Sequence, residues 1–145
     1  MINKQKYVLG FLFDPLLEKV LLIKKLKPDF MFGRLNGIGG KIELGEIPDK
    51  AMVREFKEEV GLEIDSWIHY ATFFNEAGNY EVFVYAALDA KIYDFRQLEI
   101  EEPNIYEICL LHYWDRMPNI DWLIRMAINR YLNLDKTKLF IIEEI

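Results

Sequence analysis

The chain has 145 residues, 52% of them hydrophobic, a formal charge of −6 and a pI near 5.0. This is the length of one domain with apolar side chains enough for one core, which sets a single domain over 1–145 as the expectation. The acidic balance excludes a duplex nucleic-acid binder, which shows a basic face to phosphates, but not a small anionic ligand bridged by a cation.

The first apolar run, Tyr7 to Phe13, stops at Asp14-Pro15, far short of the roughly 18 residues of a membrane helix. No small-residue cleavage site marks a leader. Lys6 to Phe13 and Lys19 to Leu26 are rich in β-branched and aromatic residues and flank the turn-like "DPLLE", which predicts two strands and a short connection. Lys27 to Gly40 holds four glycines and a proline and reads as a loop ending in a tight bend.

From Pro48 to Val60 the period becomes helical, with Met52, Val53, Phe56 and Val60 on one face. Pro48 suits the first turn and Gly61 the position just past the end. Two strands are expected around "NEAGN", in "EIDSWIHYATFF" and "YEVFVYAAL", and another in "IYEICLLHYW". In that last run Cys109 is the only cysteine of the chain, so an internal disulfide, a CxxC pair and a thiolate zinc site are excluded. It reads as a buried structural thiol in a reducing, cytoplasmic setting. An amphipathic helix is expected from about Asn119 to Leu132, and "KLFIIEEI" reads either as an edge strand, inside one chain or across a homodimer, or as a packed tail. Strands interleaved with two helices predict an α/β fold, a mixed sheet with helices on both sides.

The helix carries the chemistry. At about 100° per residue, Glu55, Glu58 and Glu59 fall within one arc beside the apolar stripe. Like charges so close repel and raise one another's pKa, so something positive should compensate. One source is internal: Lys50, Arg54 and Lys57 would make this a solvated helix laced with weak ion pairs. The other is a divalent cation held by hard carboxylate oxygens, with Mg²⁺ keeping some waters and sharing phosphate oxygens.

The flanks bear on that choice. Gly40, Glu46, Arg54, Glu55, Phe56, Glu58, Glu59, Gly61 and Leu62 satisfy the pattern G-x5-E-x7-R-E-U-x-E-E-x-G-U position by position. The stretch resembles a complete Nudix box, with Phe56 where the family usually has an aliphatic residue. The resemblance implies a Nudix-type α/β/α sandwich that hydrolyses a nucleoside diphosphate linked to another group, X, by attack of water on phosphorus with Mg²⁺ or Mn²⁺. It implies Glu58 and Glu59 as metal ligands, Glu55 as a metal ligand or general base, and Arg54 as the residue that orients them. Gly39 would offer its carbonyl to a metal and Glu46 would support the loop. Family members often add a late acidic ligand; among Glu99, Glu101, Glu102 and Glu107, Glu102 is the choice made from sequence.

Upstream, "FGRLNGIGGKIELGE" resembles the run found in the MutT-type branch, which acts on oxidised purine nucleoside triphosphates, with Leu35 in place of a Trp. By that resemblance Asn36 would read the base, Lys41 would contact phosphate, and Asn119, Asp121 and Trp122 would line a base pocket. Each has a plainer reading: a turn asparagine for Asn36, a solvated lysine for Lys41, and helix capping or core packing for the last three. Trp67 and Trp114 read as core or strand aromatics. His69 and His112 have no Ser or Cys partner pattern, so a hydrolase triad has little support. The expectation is a Mg²⁺-dependent nucleoside triphosphate pyrophosphatase, with an ADP-ribose or dinucleoside polyphosphate hydrolase, or a non-catalytic nucleotide-sensing module, as rivals.

Overall fold

A computed structural model describes residues 4–132 and 139–144. Among these residues eight strands form one mixed sheet: β1 (Gln5–Phe13), β2 (Lys19–Lys24), β3 (Leu35–Asn36), β4 (Ile38–Lys41), β5 (Ile68–Asn75), β6 (Tyr80–Leu88), β7 (Glu102–Glu107) and β8 (Phe140–Glu143). Two helices, α1 (Pro48–Val60) and α2 (Ile120–Leu132), lie among them in sequence. β1 is central: it runs parallel to β6 along its whole length and antiparallel to β4 and to the end of β2 on its other side. β2 carries β7 and β3, while β5 hairpins onto β6 and carries β8 as a parallel edge strand.

Alternation along the strands gives the sheet two apolar faces. Val8, Leu12, Leu21 and Ile23 pack under α1 with Met52, Phe56 and Val60, whereas Leu9, Phe11, Phe13 and Leu22 pack under α2 with Ile120, Leu123, Ile124 and Ala127. The expected α/β/α layering is therefore the observed one. Each fully buried side chain of this size contributes about 1.5–3 kcal/mol of hydrophobic free energy, so both helices are held by their stripes rather than by propensity.

Helix α1 has the bounds its end signals predict, with Pro48 at its start and Gly61 in the left-handed region at φ 73°. Ala51, not Val53, completes the buried face; Val53 is half-buried. Four readings change. The loop over Lys27 to Gly40 is in part strand, because its glycines let β4 lie close against β1: a Cβ on Gly39 would sit 1.9 Å from the Val8 carbonyl oxygen. The strand expected through "IYEICLLHYW" ends at Glu107 and becomes a 3-10 segment over Ile108–Tyr113. Cys109 falls on that segment, beyond the ladder, and is exposed, not buried. Trp114, at the segment's end, is 50% exposed and packs edge-on with Tyr106, so it is not a core residue. The tail forms an edge strand, although Lys138 and Ile145 lie outside the described residues.

Candidate active site

Arg54 is the hub of the acidic flank. Its Nε and Nη2 donate to the two oxygens of Glu46 at 2.8 and 2.9 Å, a bidentate pair across the loop that leads into the helix. Nη1 donates to Glu55 at 2.9 Å and to Glu58 at 3.2 Å, and Nη2 also reaches the Lys41 carbonyl at 3.1 Å. The planar fork makes this possible; a lysine could not bridge so many acceptors at fixed angles. Glu46 also accepts the Glu43 amide, and the Arg54 hydrogen bond holds its carboxyl below the usual carboxylate range.

Glu55 lies where the sheet has a notch. A Cβ on Gly40 would come within 2.6 Å of its carboxylate, so the absence of a side chain there is what lets the acid lie against β4. Burial pushes the Glu55 carboxyl up, against the pull of Arg54. Glu58 is exposed, with Arg54 as its i,i+4 partner. Glu59 differs from both. Its Oε2 is buried without a hydrogen-bond partner, and its pKa is pushed up to about 7, first by burial and then by the charges of Glu101, Glu99 and Glu55, which outweigh the help of Lys25.

The acid facing Glu59 is thus Glu101, not the expected Glu102. Ile105 belongs to the α1-side core and Tyr106 to the α2-side core, so alternation along β7 turns Glu102 away from α1. Glu102 instead lines a cavity of 480 Å³ with Lys24, Leu26, Phe32, Gln97 and Ile100. Glu101, 9% exposed, accepts from Lys25 Nζ at 2.9 Å and the Leu26 amide at 2.6 Å. Burial alone would raise its pKa, but these bonds hold it below the usual range. Sequence reasoning passed over it because neighbouring glutamates look alike until strand parity separates them.

Among the described residues, no three acidic, His or Cys side chains are gathered tightly enough to cage an ion. Arg54 draws Glu55 and Glu58 to itself. The donor chemistry nevertheless fits a hard divalent cation: two half-buried carboxylates with raised pKa, one with an orphaned oxygen, in a place where positive charge would relieve both.

The residues expected to bind substrate are more dispersed. Asn36, half-buried on β3, accepts from the Gly37 amide at 2.9 Å, the turn role that was its plainer reading. Lys41 has an exposed side chain and contributes its carbonyl to Arg54. Asn119 caps α2 through its carbonyl, which accepts the Leu123 amide, while its side-chain Oδ1 is buried without a partner. Asp121 is held by Arg116 in a bidentate pair at 2.6 and 2.9 Å, and Trp122 packs edge-on to Phe73 in the α2-side core. Each has a structural partner, and the Asp121 side chain is still 55% exposed. Trp67 meets Phe56 edge-on as a core aromatic, and His69 bonds to Thr72 rather than to a nucleophile.

These features define a class: an α/β/α sandwich that presents a carboxylate-bearing helix flank, organised by one arginine, to a glycine-notched strand. A family model of the NUDIX domain matches residues 3–119, and the chain belongs to the Nudix family. Over 45 residues it is 41% identical to the 8-oxo-dGTP diphosphatase of Escherichia coli K12, a match covering 31% of this chain and 35% of that protein, so it spans about a third of that relative's length. Among solved structures, MutT from Aliivibrio salmonicida or Vibrio cholerae shares the fold at TM-score 0.66 and 20% identity, over 86% of this chain and 96% of that one. The NUDIX domain of Shewanella oneidensis NrtR, in complex with ADP ribose, does so at TM-score 0.74 and 18% identity, over 90% of each chain. A Nudix hydrolase from Nitrosomonas europaea does so at 0.72 and 21%, over 99% of this chain and 81% of its own.

Proposed function

We propose that the chain is a pyrophosphohydrolase that uses Mg²⁺, or Mn²⁺ in its place, to cleave a purine nucleoside triphosphate, such as one with an oxidised base, to the monophosphate and pyrophosphate. The observation that carries this reading is Glu59: a carboxylate oxygen buried without a partner, among like charges, on the helix flank that also holds Glu55 and Glu58. These carboxylates would hold a divalent cation that relieves the cost, and a non-catalytic module would tend to lose box acids that are all present here.

In this reading Glu55, Glu58 and Glu59 hold the metal with the Gly39 carbonyl, and Glu101 replaces Glu102 as the late acid. The bound ion would polarise the phosphoryl group and neutralise charge developing on it. Arg54 fixes the rotamers of Glu55 and Glu58 and ties the helix to Glu46, while Glu55, with its raised pKa, is suited to take a proton from the attacking water. Asn119, whose Oδ1 is buried without a partner, would turn it toward a base edge on binding. Lys41 would contact phosphate from its exposed position.

A second reading draws on the 480 Å³ cavity. Its apolar walls Leu26, Phe32 and Ile100 and polar Lys24, Gln97 and Glu102 would seat a second non-phosphate group, as in ADP-ribose or a dinucleoside polyphosphate. One panel separates the two: Mg²⁺-dependent turnover of oxidised and ordinary nucleoside triphosphates, ADP-ribose and diadenosine polyphosphates, with products identified by mass. Purine monophosphate plus pyrophosphate as the preferred outcome supports the first reading. Preference for ADP-ribose or a dinucleotide supports the second, and binding without turnover of any nucleotide refutes both.

No described helix is long and apolar enough to cross a membrane, and a cytoplasmic setting is part of the proposal. So is action as a monomer or homodimer.

A further inference from the structure

Helix α1 presents the acids, and its start has no side-chain cap: Ile47 at the N-cap makes no side-chain hydrogen bond and Pro48 has no amide to give, so the Arg54–Glu46 pair is the tie on the loop side. The C-terminal end is held differently, by the Arg96 and Leu98 amides donating to the Val60 and Glu59 carbonyls at 2.9 and 3.2 Å. At the start, a second tie comes from across the sheet. Tyr85 on β6 is 1% exposed, and its hydroxyl donates to Oδ1 of Asp49, the only acid of the first turn of α1. The Tyr85 ring is itself held. His69, its cross-strand partner, stacks on it at 5.1 Å and bonds through Nε2 to Thr72 Oγ1 at 2.7 Å. A fully buried phenol hydroxyl needs an acceptor, and here the acceptor is a charged one, so the bond is of the stronger kind.

We infer that Tyr85 and Asp49 are positioning residues of the active site: their bond fixes the rotation of α1 on the sheet, and with it the distance of Glu55, Glu58 and Glu59 from the Gly39-Gly40 strand. Glu55 lies six residues beyond Asp49, about 9 Å along the axis. Over that lever a small roll of the helix moves the Glu55 carboxylate relative to Gly40, against which it lies so closely that a Cβ would come within 2.6 Å. Displacements on the order of 1 Å in a catalytic group cost up to about 10²-fold in rate. The inference rests on the proposed hydrolase activity for its kinetic part only.

The test uses the full chain with Tyr85→Phe, Asp49→Ala, Asp49→Asn and the Tyr85→Phe/Asp49→Ala pair. The expected result is a fall of about 10-fold in kcat with KM within about 2-fold for Tyr85→Phe and Asp49→Ala, no further fall in the pair, and near-native kcat for Asp49→Asn, which keeps the acceptor oxygen. Amide hydrogen exchange over residues 48–60 is measured alongside without metal or nucleotide, and it should accelerate in the same variants that lose kcat. Asp49 is exposed, so its variants keep the core intact. Additive losses, unchanged exchange, or an Asp49→Asn variant as impaired as Asp49→Ala would overturn the inference; the last would mean that only the negative charge at the helix start matters. If the unmodified chain turns over no nucleotide, the functional proposal fails and the exchange data alone decide the positioning role.

Discussion

Glu59 offers the sharpest test of how the acidic flank works, because the metal-free protein carries its cost openly. Its ordinary pKa of 4.5 is raised to about 7 by burial first and by Glu101, Glu99 and Glu55 next. The folded state therefore binds a proton that the unfolded chain releases between those values, and stability falls as pH rises through that window. At about 1.4 kcal/mol per pH unit the gap corresponds to about 3 kcal/mol, and because the side chain is only half-buried, solvent screening reduces this to about 1–2 kcal/mol. Replacing Glu59 by Gln removes the charge and keeps the shape. At pH 8 without metal, Glu59→Gln should be more stable than the wild type by that amount, or about 3–6 °C in Tm for a domain of this length. At pH 4.5 the gain should vanish, because the native acid is then protonated. Millimolar Mg²⁺ should raise the Tm of the wild type and leave the variant's unchanged. The assay is thermal unfolding by circular dichroism across pH, with and without Mg²⁺. A variant less stable than wild type at pH 8, or one that Mg²⁺ still stabilises as well, would refute the view that Glu59 is an uncompensated carboxylate waiting for a cation.

Other outcomes follow from the same geometry. Glu58→Gln should lose more than about 100-fold of metal-dependent turnover with an unchanged Tm, whereas Glu102→Gln, turned away from α1, should stay within about 3-fold; steady-state rates at saturating Mg²⁺ compare them. Truncating Asn119 to Ala removes the orphaned acceptor, so KM for a purine triphosphate should rise about 10-fold with kcat nearly unchanged, and an equal effect on a pyrimidine substrate would remove Asn119 from base recognition. Gly39→Ala would drive a Cβ to 1.9 Å from the Val8 carbonyl oxygen, a backbone atom with nowhere to go, and should cost about 3 kcal/mol or more in denaturant unfolding.

Much of the molecule follows from local chemistry that is written in the chain. The bounds of α1 come from Pro48 and Gly61, whose backbone preferences act within a few residues, and its buried stripe from a period that needs no partner to be recognised. The hairpin of β5 and β6 and the two-sided sheet follow in the same way from alternation and turn residues. Helical spacing puts Glu55, Glu58 and Glu59 on one flank, and the resemblance to the Nudix box is what names them as site acids.

Long-range pairing decided the rest. Whether Glu101 or Glu102 meets Glu59 depends on the register of β7 against β2, and a shift of one residue would exchange them; no local signal encodes it. The ion pair of Asp121 with Arg116 and the buried, unpartnered side-chain oxygen of Asn119 are likewise seen only in the folded chain. The Tyr85 to Asp49 bond joins residues 36 apart in the chain, and nothing near either position announces the other. The sequence by itself determined the helices, the long strands and the acids of α1, because these depend on neighbours a turn or two away, but not β3, β4 or the end of β7, which long-range pairing sets. The tertiary structure alone decided which acids converge and what holds the helix at its angle, because burial and desolvation exist only after distant segments have packed.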